Sequence, residues 1–121
     1  MAIDEKLAAR ARAALADRAD VEEKRMFGGL AFMVRGHMAC GVVGDQLMVR
    51  VGPENHERAL RLAHAHEMKF TGRPMRGFVV VDPKGVATLK SVAPWVRRGV
   101  EFVTSLPPKK GAHALTGRED R

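Results

Sequence analysis

The chain has no tyrosine, one tryptophan and one cysteine among its 121 residues. A lone thiol, Cys40, excludes an internal disulfide and agrees with a reducing cytoplasm. Five phenylalanines and the tryptophan are the whole aromatic complement, which gives a base-stacking surface little support. No run of about 18 apolar residues is present, so no membrane-spanning helix is expected. The opening stretch MAIDEKLAARARAALADRAD is charged throughout and lacks the apolar block of a secretory signal. Paired carboxylates, a Ser-His-Asp set and a nucleophile elbow are also missing, so an enzyme is not expected. No cofactor is implied.

What is present is one domain's worth of chain, 45% apolar and 29% charged. The net charge of +7 comes from 21 Lys and Arg against 14 Asp and Glu, and it is spread without a dense basic run. Arg58, Arg61, Arg97, Arg98, Lys109 and Lys110 form the only candidate phosphate-binding set, and no reading motif accompanies them.

Ile3 to Arg18 reads as a helix, with Asp4 and Glu5 in its first turn and Ile3, Leu7, Ala11, Ala14 and Leu15 on one stripe. Leu30–Val34, Met38–Val43 and Leu47–Val51 read as strands joined by turns at Arg35-Gly36-His37 and Gly44-Asp45. Turns this short join antiparallel neighbours, so a three-stranded meander is expected. Gly52-Pro53-Glu54 opens a second helix, read as running to His66. Met68–Phe70 and Gly77–Val81 read as strands, divided by Gly72-Arg73-Pro74 and closed by Asp82-Pro83-Lys84-Gly85. A last helix, capped by Ser91, carries Val92, Trp95, Val96, Gly99, Val100 and Val103 on one face. Leu106-Pro107-Pro108 stops it. Residues 1–108 therefore form the domain, and the polar segment Lys109–Arg121 is expected to be a disordered tail. The fold class is α+β in two layers. An antiparallel sheet carries its helices on one face, in the order α-β-β-β-α-β(-β)-α.

The stretch RMFGGLAF poses the sharpest local question, whether Gly28-Gly29 cradles a phosphate or bends the backbone. Neither phosphate-loop spacing is present and strand pattern follows, so a glycine bend that turns Phe27 into the core is expected. Cys40 lies mid-strand and reads as a small hydrophobe. His64 and His66 fall at the end of the expected helix, where their side chains diverge, so no metal site is read from them.

The segment KRMFGGLAFMVRGHMACGVVGDQLMVRV resembles the N-terminal domain of the TfoX/Sxy proteins. Its Met-Phe-Gly-Gly opens a meander, Leu47 falls on the following strand pattern, and Trp95 with Leu106-Pro107-Pro108 matches the closing helix. The likeness runs from about residue 5 to 109. Phe70–Arg76 departs from the tyrosine-containing stretch expected there. The resemblance implies a two-layer α+β fold similar to small secretion-chaperone-like domains. It further implies a link to competence-gene regulation, in which full-length bacterial members help a transcription activator and carry a second, C-terminal domain. This chain ends about where the first domain would, as in stand-alone versions. The motif residues Arg25, Met26, Phe27, Gly28, Gly29, Leu47 and Trp95 are accordingly assigned a structural role, with interaction as their functional reading.

The sheet's second face decides the functional reading. With Leu30, Phe32, Val34, Leu47, Val49 and Val51 toward the helices, Ala31, Met33, Met48, Val79 and Val81 are expected to face away. Such a face is too apolar to stay wet and is read as an interface for a protein partner, most simply a second copy of the chain. The alternatives are an accessory protein that binds nucleic acid through charge alone, and a small enzyme.

Overall fold

The computed structural model describes residues 3–26, 28–70 and 73–107. The expected turn of Phe27 into the core and the tail from Lys109 lie outside the described residues. Helix α1 spans Glu5–Ala14. Strands β1 (Val21–Met26), β2 (Gly29–Val34), β3 (His37–Val43) and β4 (Gln46–Arg50) follow. A 3-10 turn at Pro53–Asn55 leads into the short α2 (His56–Leu60). Strands β5 (Ala65–Phe70) and β6 (Arg73–Val81), a second 3-10 turn (Pro83–Val86) and α3 (Leu89–Thr104) follow among the described residues.

The six strands form one antiparallel sheet in the order β1-β2-β3-β4-β6-β5. Helix α1 begins because the Asp4 carboxylate accepts hydrogen bonds from the free N–H groups of Lys6 and Leu7, at 2.9 and 3.1 Å. Asp4 is thus the cap rather than a first-turn residue. Ile3, Leu7, Ala11 and Leu15 are buried as their stripe predicts. Helix α3 starts two residues earlier than Ser91. Thr88 caps it, and Ser91 closes a reciprocal capping box as the third helical residue. Its stripe Val92, Trp95, Val96, Gly99 and Val103 is buried.

Two rows of cross-strand partners build the core. One runs Leu30, Val42, Leu47, Val81, and the other runs Phe32, Cys40, Val49, Val79. All but Leu30, at 5% exposure, are fully buried beneath α1 and α3. Residues paired across strands share a face, so Val79 and Val81 point into the core. That corrects their expected place on the outer surface. The run Gly77–Val81 is apolar on both sides and carries no alternation of its own, so pairing with Val49 and Leu47 fixes its parity. Cys40 is fully buried, and burial pushes its thiol from 9.0 up to about 12. It packs as a small hydrophobe.

Three elements differ from expectation. Strand β1 (VEEKRM) was not expected, because only its end residues are apolar. It is a charged edge strand, a composition that blocks pairing with another chain. The meander thus has four strands, not three. The second helix ends at Leu60 rather than His66. Residues 65–67 instead pair with Val79–Val81, and that ladder outweighs the local helical pattern. His64 makes the transition with a positive φ of 71°.

Gly28-Gly29 is resolved as a hairpin, not as a bend ahead of the first strand. Met26 pairs with Gly29, so β1 and β2 are joined by a tight hairpin with Gly28 in its turn. Gly28 has φ 77°, a conformation that disfavours a side chain, with nothing within 4 Å of an added Cβ. Gly29 is held to glycine for another reason: its Cβ would lie 2.6 Å from the Val42 carbonyl oxygen.

Candidate interaction groove

The helices cover one face of the sheet. On the other, register places Lys24, Ala31, Gly41, Met48, Val80 and His66 in a single row from edge to edge. The middle of that row is small. A Cβ on Gly41 would meet the Leu30 carbonyl oxygen at 2.9 Å and the Met48 methyl at 3.2 Å. Glycine there lets Met48 fold flat across β3. Gly29, Ala31 and Gly41 thereby form the floor of a trough of about 500 Å³. Its walls are Met26, Met38, Met68 and Met75 with Val43 and Val80. Val43 is 47% exposed.

Five of the chain's seven methionines line this trough. Methionine is flexible and polarizable, and it adapts to partners of irregular shape. Of the residues expected on this face, Ala31 and Met48 line the trough. Met33 lies on the same face beyond it, opposite Glu22 and Met38. Sequence reasoning missed Met26 as a wall residue and missed Met38, Met68, Met75 and Val80 altogether. The methionine count was the available signal.

The remaining motif residues are dispersed. Leu47 lies in the core at 0% exposure. Trp95, at 7%, packs on α3 with the Arg98 guanidinium 5.4 Å from its ring. Arg25 is exposed on β1 opposite Leu30.

Two histidine–carboxylate groups flank the β5 edge. Buried His56 accepts the Gly77 N–H at Nδ1, 2.9 Å away, which leaves Nε2 to donate to Glu67 at 2.9 Å. This ties α2 to β5 and β6. His66 lies on a strand, not on a helix, and its Nε2 is 3.1 Å from one oxygen of Asp82. His64 Nδ1 is 3.2 Å from the other oxygen but off the line of a hydrogen bond. The pair therefore converges on one carboxylate instead of diverging. The hydrogen bond from His66, aided by the His64 charge, holds the Asp82 carboxyl below its ordinary range. Among the described residues, no three His, Cys, Asp or Glu side chains are arranged to hold a metal ion. No helix among them is long and apolar enough to cross a membrane.

Residues 13–103 match the model of the TfoX N-terminal domain, a span that includes all six strands, α2, the trough and α3 up to Val103. The chain belongs to the TfoX N-terminal domain family. No curated protein matches it significantly, and no solved structure does. The TfoX N-terminal domain here is thus a sheet with one face spent on the core and the other left as a methionine-walled trough.

Proposed function

We propose that this TfoX N-terminal domain protein is a non-enzymatic regulatory module of the cytoplasm, with the outer face of its sheet as the contact surface for a protein partner. The family's link to competence regulation supports the regulatory part. The trough carries the interaction part. An apolar recess of this size on a folded surface is stable in water only at a cost, and such patches mark binding sites.

The chemistry of the polar residues supports the same reading. Both ring nitrogens of His56 are engaged, which leaves none to shuttle a proton. The buried Cys40 thiol stays protonated at neutral pH and is no nucleophile. Of the ionisable groups that line the recess, Glu67 is bonded to His56 and His66 to Asp82, which leaves Lys69 among a lining that is mostly apolar.

The test is affinity capture from a cell extract with the native chain and with the double variant Met68→Glu/Met75→Glu. Both positions are half-buried on the trough wall, so the variant should fold. The native chain is expected to retain a defined set of proteins that the variant loses. An identical set on both, from a variant of native circular dichroism, would contradict the reading. Random-sequence DNA is expected to give no retardation in a gel. A shift that vanishes with added salt would move the assignment to a nucleic-acid accessory protein.

A further inference from the structure

Sulfur is divided between the two faces of the sheet. On the core face, the Cys40 thiol is fully buried and stays protonated at neutral pH. An oxidant in water reaches neither the atom nor its reactive thiolate form. On the outer face, Met26, Met38, Met68 and Met75 are half-buried on the walls of the recess. Met48 is 4% exposed and lies flat across Gly41. Among the described residues, the sulfur within reach of solvent is thus all thioether, and most of it lines one trough.

The fold does not rest on these walls. Met26, Met38, Met68 and Met75 lie outside the packed clusters beneath the helices. A change of polarity there leaves the contacts of the core in place. Oxidation to the sulfoxide makes such a change, because it converts a flexible apolar side chain into a polar hydrogen-bond acceptor. In the open trough, water satisfies the new oxygens. Under a bound protein they need donors, and the lining offers few, Gln46 and Lys69 among them. Burying an acceptor without a donor is costly, so a partner suited to thioethers is turned away.

We propose that the wall methionines are a site of oxidation by peroxide, and that their sulfoxides close the outer face to its protein partner while the domain stays folded. The effect on the partner rests on the reading of that face as the contact surface, whereas the oxidation does not. In the step, the thioether sulfur attacks one oxygen of hydrogen peroxide. An S–O bond forms as the O–O bond breaks, and the sulfur gives up two electrons to the peroxide. The departing hydroxide takes the proton of the hydroxysulfonium and leaves as water.

The full chain, labelled with ¹³C at the methionine methyls, is treated with hydrogen peroxide and followed by methyl spectra and peptide mass. Met26, Met38, Met68 and Met75 are expected to convert to sulfoxide ahead of Met48, with Cys40 still a free thiol and the circular dichroism native. The oxidised chain is expected to lose the proteins that the untreated chain captures from extract. Methionine sulfoxide reductases acting on both epimers should restore them, with dithiothreitol supplying two electrons per sulfoxide as it closes to its disulfide. Met33→Leu, outside the trough, should leave the peroxide effect intact. Conversion of Met48 together with the walls, unfolding on oxidation, a loss that the reductases do not reverse, or a loss that vanishes in Met33→Leu overturns the inference. If Met68→Glu/Met75→Glu captures what the native chain captures, the contact surface falls and the inference falls with it. If that variant loses the proteins while the oxidised chain retains them, the contact surface stands and the oxidation effect alone is wrong.

Discussion

Gly99→Ala is expected to destabilise the protein by roughly 2–3 kcal/mol, although glycine-to-alanine changes inside helices usually stabilise by up to about 1 kcal/mol. The reason is where α3 sits. An added Cβ at Gly99 would lie 2.3 Å from the carbonyl oxygen of Ala39 and 3.1 Å from its carbonyl carbon. Backbone cannot rotate aside as a side chain can. Helix α3 would have to lift from β3, loosening Val96 and Val103, which flank the contact and are buried. Thermal unfolding should drop by roughly 10 °C for a chain of this size. Gly99→Val should be worse. A gain in stability for Gly99→Ala would show that α3 does not rest on β3.

The second large effect separates the two faces of one strand. Phe32→Ala is expected to cost about 3–5 kcal/mol, since Phe32 has 0% exposure and lies between core partners. Its neighbour Met33 points to the outer face and is half-buried. Met33→Ala should cost about 1 kcal/mol or less. Urea unfolding of the two variants measures the difference. Similar losses at both positions would mean that the outer face is as firmly packed as the core, and the trough would lose its meaning.

The sequence made some of this legible and hid the rest for physical reasons. Helix α3 was readable because six residues repeat at helical spacing and nothing in its surroundings contradicts them. The β2–β4 meander was readable because Arg35-Gly36 and Gly44-Asp45 are turn pairs with positive φ at Arg35, Gly36 and Gly44, between strands of suitable residues. Strand β1 was not, because an edge strand with four consecutive charges has no apolar alternation to detect. Residues 61–66 misled in the other direction. Their local pattern is helical, and only the distant ladder to Val79–Val81 makes Ala65 and His66 a strand. The parity of β6 was lost because the apolar run reads the same on either face. Gly77, with φ 92° and its N–H on His56, marks where the strand is set into register. Half of the trough was therefore invisible from the sequence: Met68, Met75 and Val80 reach it only through β5 and β6.

The errors at Ala65, His66 and β6 concern residues placed by a partner far along the chain, whereas β1 pairs with the very next strand and was hidden by its charges alone. The Met48–Gly41 contact is a local one between adjacent strands of the meander. It is also where the trough begins.

The account's central claim is that this outer face is an apolar recess open to water in the isolated protein. The direct measurement is paramagnetic relaxation of the methionine methyls by a neutral soluble nitroxide, with the dilute full chain alone. Met26, Met38, Met68 and Met75 are expected to broaden strongly, whereas the methyls of Val49 and Val79 beneath the helices stay sharp. Sharp signals from all four methionines at low concentration would mean that the face is already covered, and the claim would fail.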